Sequence, residues 1–88
     1  MNKNEFLHIL SGCSREHVVV SWYIPGIGGG CFEVDPHDYR LRDGAFVLGD
    51  DECCIIIENF DEYNVYEDGD LICLDGKGGI EIEIGLVA

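Results

Sequence analysis

The stretch YNVYEDGDLICLDGKGGIEIEI (residues 63–84) decides the fold. Three apolar-rich segments, YNVY, DLICL and IEIEI, are separated by Asp68-Gly69 and by Asp75-Gly76 with Gly78-Gly79. Asp-Gly between apolar runs is the strongest short-range hairpin signal. The stretch therefore reads as an antiparallel meander. Its last segment alternates strictly, with Ile80, Ile82 and Ile84 on one face and Glu81 and Glu83 on the other. At a strand rise of about 3.4 Å per residue, the two glutamates stand about 6.8 Å apart. One face must be core; the other meets solvent or a partner.

Upstream, the same reading continues. HVVVSWYI (residues 17–24) has the β-branched and aromatic composition of a strand. PGIGGG (25–30) interrupts it, and CFEV (31–34) resumes the alternation. DPHDY (35–39) suits one helical turn, with Asp35 as cap and Pro36 at the first helical position. GAFVL (44–48) is the next strand, GDDE (49–52) a turn, and CCIII (53–57) a wholly apolar run that reads as a central strand. Only residues 2–11 carry helical spacing, through Phe6, Leu7, Ile9 and Leu10. Asn2 or Asn4 suits its N-cap and Gly12 its C-terminal stop. The fold expected is mainly β: one short N-terminal helix on a curled antiparallel sheet or small sandwich of about six or seven short strands.

Eighty-eight residues with 47% hydrophobic content suit one domain, residues 1–88, with no linker or repeat. A chain of this size buries roughly two-thirds of its unfolded surface, enough for one modest core. The apolar content argues against disorder despite a net charge of −13. The charge is lopsided. Residues 1–42 hold five acids and four bases, whereas residues 43–88 hold thirteen acids and Lys77 alone. That excess repels phosphates, so direct nucleic-acid or anionic-membrane binding is not expected. No apolar run approaches a membrane span, and the N-terminus lacks the apolar core of a secretory signal. Cys13, Cys31, Cys53, Cys54 and Cys73 are odd in number and form no C-x-x-C pair, which reads as reduced thiols in a cytoplasmic protein.

Specific chemistries fail on spacing. A calcium loop started at Asp61 meets Tyr63 and Val65 at ligand positions; started at Asp50 it meets Cys54 and Ile55. A looser calcium site from Asp68, Asp70 and Asp75 stays open, although acids in turns usually serve the turn. Gly26, Gly28 and Gly30 follow a strand but precede another strand, not the helix a dinucleotide site needs, and read as a flexible connecting loop. Cys13, His17, Cys31 and His37 offer two sulfurs and two imidazoles for zinc, without finger spacing. No nucleophile with base and orienting group is recognisable, so no enzyme and no cofactor are expected.

What remains is a surface. FDEYNVYED (residues 60–68) interleaves Phe60, Tyr63 and Tyr66 with Asp61, Glu62, Glu67 and Asp68. Aromatic anchors among charges are a composition favoured at protein interfaces. Together with Asp50, Asp51, Glu52, Glu58, Glu81 and Glu83, this run forms the expected partner-binding set. The expectation is a non-enzymatic interaction protein that presents carboxylates to a basic protein surface, a nucleic-acid-binding cleft being the natural target, and inhibits it. Phage-encoded nuclease inhibitors, anti-CRISPR proteins among them, and nuclease immunity proteins share that functional class; no sequence motif links this chain to them. The alternatives are a small metal-binding protein, using the zinc or calcium sets above, and an oligomerising module. A homodimer would use helix 2–11 or strand 17–24 as its seam.

Overall fold

The computed structural model describes residues 1–85. It holds one helix, α1 (Lys3–Ser11), and eight strands: β1 (Val18–Ile24), β2 (Gly28–Val34), β3 (Tyr39–Arg42), β4 (Ala45–Gly49), β5 (Cys54–Ile57), β6 (Asn64–Asp68), β7 (Leu71–Asp75) and β8 (Glu81–Gly85). Short 3₁₀ turns at Phe60–Glu62 and Lys77–Gly79 join β5 to β6 and β7 to β8. The strands form two antiparallel sheets, one of five strands in the order β2-β1-β8-β7-β6, the other β3-β4-β5. The mainly β fold with one N-terminal helix is thus the one the sequence predicts. No helix among the described residues is long and apolar enough to cross a membrane.

The helix begins at a capping box. The Asn2 side chain accepts a hydrogen bond from the Glu5 backbone N–H at 2.8 Å, and the Glu5 carboxylate accepts one from the Asn2 N–H. Gly12 ends it with φ −88°, in the right-handed region. Nine residues are too few for a stable isolated helix, so docking holds it. Phe6 and Leu10 are fully buried. Phe6 meets Phe46 of β4 edge-on at 5.3 Å, and Phe46 stacks on Phe60 at 5.0 Å. These rings tie the helix, the small sheet and the first 3₁₀ turn into one core with Val18, Val20, Leu74, Ile82 and Ile84 of the large sheet. Lys3 reaches the same turn, donating to the carbonyls of Asp61 and Tyr63.

Several local expectations need correction. Residues 28–30 are strand, not loop: Ile24 pairs with Gly28, Tyr23 with Gly29 and Trp22 with Gly30. Gly29 and Gly30 are there because the β1 backbone and the Trp22 indole press against them. A Cβ on Gly29 would lie 2.6 Å from the Trp22 carbonyl oxygen, and one on Gly30 3.3 Å from the indole ring. Residues 35–38 make a β-turn closed by Asp38 N–H to Asp35 carbonyl at 3.1 Å, without a helical turn. The Asp35 side chain does cap it, accepting from the His37 N–H at 2.9 Å. β3 was not expected at all; it leads into a two-residue hairpin turn at Asp43 (φ 51°) and Gly44 (φ 81°). CCIII is not a central strand. Among the described residues β5 pairs only with β4, and Ile56 is 60% exposed. β1 cannot pair edge to edge with a second copy, because β2 and β8 occupy both its sides.

Candidate protein interface

Pairing register places the outward side chains of the large sheet in three rows, since directly opposed residues of antiparallel strands share a face. The middle row runs Cys31, Ser21, Glu83, Cys73, Tyr66 from β2 to β6. On one side lies Glu33, Val19, Gly85, Leu71, Asp68; on the other lies Gly29, Tyr23, Glu81, Asp75, Asn64. With strands about 4.8 Å apart, the face is roughly 19 Å across. It carries Glu33, Asp68, Asp75, Glu81 and Glu83 and no Lys, Arg or His. None of these five carboxylates makes an ion pair among the described residues. Tyr23 is 50% exposed and Tyr66 37%, so two phenol rings flank the glutamates of β8.

The centre of the face is packed. Cys73 is only 4% exposed. Burial first, and then the Glu83 carboxylate, push its thiol pKa up, so it stays protonated at neutral pH. Tyr66 is pushed up to about 12, by desolvation and then by the Asp75 carboxylate. The β6–β7–β8 part of the row is therefore neutral phenol, neutral thiol and one carboxylate, set in an acidic field.

The thirteen residues expected to bind a partner do not converge. Asp68, Glu81, Glu83 and Tyr66 lie on the outer face. Glu33 and Asp75 complete it and are absent from the expected set: Glu33 belongs to the near-neutral half of the chain, and Asp75 reads as a turn acid or a loose calcium ligand. Glu67 pairs with Ile72, so it belongs to the opposite face of edge strand β6. Asp50, Asp51 and Glu52 form the β4–β5 connection, where Asp50 is a turn residue. Its carboxylate accepts from the Cys53 and Glu52 N–H groups, both at 2.9 Å, and these bonds hold its pKa below the usual carboxylate range. Phe60 is 3% exposed and belongs to the core, not to an interface. Its ring packs on Phe6 and Phe46, a role that an aromatic-rich polar run conceals in sequence.

Glu58, Glu62 and Tyr63 belong to a second feature, a groove of about 850 Å³ between the inner face of the large sheet and the free edge of β5. Trp22, Ile24, Phe32, Ile80 and Ile82 line one side, and Cys54, Ile55 and Ile56 the other. Lys77 stands at its mouth, 3.5 Å from Glu62. Asp61 lies on the same 3₁₀ turn as Glu62.

The proposed ligand sets are dispersed. Among the described residues, no group of three or more His, Cys, Asp or Glu side chains is arranged to hold a metal ion. His37 binds the Cys13 carbonyl and the Asp35 carboxylate, while Cys31 sits on the outer sheet face. Asp68 and Asp75 lie at opposite ends of the β6–β7 hairpin, where four residues of rise separate them by roughly 13 Å. All five cysteines are unpaired.

The fold and surface define a small two-sheet β protein with one acidic sheet face that no other element among the described residues covers. No protein-family model matches the chain, and no curated protein or solved structure matches it either.

Proposed function

We propose that this protein is a non-enzymatic interaction protein that binds and inhibits a basic, nucleic-acid-handling protein through the outer face of its five-stranded sheet. One observation carries the reading: five carboxylates and two exposed tyrosines share that face with no base among the described residues. A surface of this kind attracts Lys/Arg-rich clefts over long range and repels nucleic acid. Glu81 and Glu83 stand about 6.8 Å apart, close to two of the 3.4 Å axial steps between phosphates on one DNA strand. Tyr23 and Tyr66 supply the amphipathic anchors that charge alone lacks. The functional class is that of nuclease inhibitors and immunity proteins.

Affinity capture at low and high salt tests it, with the wild-type chain beside the Glu81→Lys/Glu83→Lys double variant. The expected catch is a basic nucleic-acid-binding protein that the wild type retains at about 50 mM salt and releases by about 300 mM. The double variant should not retain it, and added nucleic acid should compete. A specific partner whose binding ignores salt, charge reversal and nucleic acid would show that the acidic face is not the interface.

A further inference from the structure

The groove beside β5 is built differently from the outer face. Side chains of a strand alternate between faces, so a wall lined by the consecutive residues Cys54, Ile55 and Ile56 is the edge of the strand. β4 occupies the other edge of β5; this one has no partner strand among the described residues. The opposite side of the groove is a sheet face, since Trp22 and Ile24 alternate along β1, and Ile80 and Ile82 alternate at β8. The small sheet thus stops one strand short of covering the inner face of the large one. The β5 strand itself has no Lys, Pro or bulge of the kind that protects exposed edges.

We infer that the edge of β5 accepts an extended segment of a basic partner protein, which adds a fourth strand to the small sheet and lays alternate apolar side chains on Trp22, Ile24, Phe32 and Ile82. Main-chain hydrogen bonds to the edge hold such a strand, and the apolar floor selects every second side chain. Charge decides the occupant. Asp50, Asp51 and Glu52 precede β5, and Glu58, Asp61 and Glu62 follow it, with Lys77 as the one base lining the groove among the described residues. Antiparallel pairing with a second copy would bring the Asp50–Glu52 run of one chain beside Glu58 of the other, and like charges across a pair destabilise it. A strand flanked by Lys or Arg at both ends meets opposite charge at both ends. The inference shares with the proposed function only the basic character of the partner; the surface is separate.

The test uses a capped nine-residue peptide with alternating Val and Thr in its centre and two Lys or Arg at each end. Trp22 is the sole tryptophan, so its fluorescence reports the groove directly. The basic peptide should shift Trp22 emission saturably and slow hydrogen exchange at β5. A peptide N-methylated at alternate residues, and one with Glu at both ends, should each bind at least about tenfold more weakly, or about 1.4 kcal/mol. Ile56→Lys, a change at an exposed position that guards the edge, should weaken binding by a similar factor. Glu81→Lys/Glu83→Lys should leave peptide binding nearly intact while abolishing capture through the outer face, so the two readings fail separately. No saturable Trp22 response, or a response with unchanged exchange at β5, would overturn the inference. So would sedimentation showing a dimer whose formation protects β5, because a second copy would then be the occupant.

Discussion

Tyr66 sits at the edge of the acidic face, and its surroundings favour the neutral phenol. Desolvation and the neighbouring Asp75 push its pKa up to about 12, against about 10 for a free tyrosine. A raised acid pKa stabilises the fold below the unfolded value and loses that contribution as pH rises through the folded one. Between about pH 10 and 12 the unfolded chain sheds the Tyr66 proton while the folded chain keeps it, so stability falls. Tyr66→Phe should flatten that part of the stability profile, as read from urea midpoints at stepped alkaline pH. Other residues carry roles that only packing reveals. Phe60 was expected at an interface because acids surround it in sequence, yet it packs in a triangle of rings with Phe6 and Phe46. The neighbours of a side chain along the chain are not its neighbours in the core. Gly29 and Gly30 mislead in the same way: they read as loop until the Trp22 carbonyl that crowds Gly29 and the indole that crowds Gly30 are placed.

At the scale of elements, the meander from β6 to β8 was legible because its turns and alternation agree. β3 was equally legible in principle. Tyr39, Arg40, Leu41 and Arg42 alternate, and Asp43-Gly44 before an apolar run is the same hairpin signal that marks the C-terminal turns. Both turn residues have positive φ, as a two-residue hairpin with matching twist requires. Gly44→Ala puts a Cβ on a left-handed backbone and should cost about 1–2 kcal/mol, measurable by denaturant unfolding. The placement of β5 was not legible. An apolar run reports that side chains on both faces have apolar company; it does not report which edge finds a hydrogen-bonding neighbour. CCIII has one edge on β4 and the other on the groove.

For the whole molecule, the excess of negative charge could be read from the sequence but its location could not. The acidic half of the chain is not the acidic face of the fold. Glu33 joins that face from the near-neutral half, while Asp50, Asp51 and Glu52 lie on the β4–β5 connection and Glu58 and Glu62 beside the groove. Three of the five basic side chains make contacts that tie them to the fold: Lys3 with two carbonyls, Arg40 with Asp38 and the Gly49 carbonyl, and Lys77 with Glu62. The remaining acids repel one another, and a compact state concentrates that repulsion. Salt should therefore stabilise this protein. Raising ionic strength from about 0.01 M to 0.3 M shortens the screening length several-fold. A gain of about 1 kcal/mol would raise the thermal midpoint by about 4–8 °C in a domain of this size. A calorimetric series in sodium chloride checks the sign.

The position of β1 has a consequence for how the chain reaches this state. It is the first strand in sequence, yet it is bracketed by β2 and by β8, the last strand described. Without β8, the large sheet falls into two separate hairpins, β1–β2 and β6–β7. The central pairing closes a loop that includes the whole small sheet, so its entropic cost falls early and its reward late. Folding of such a topology is slow for its size, on the scale of milliseconds to seconds. During synthesis the acidic face cannot assemble until β8 is available, and an unfinished chain carries its charge without the surface that gives the charge direction.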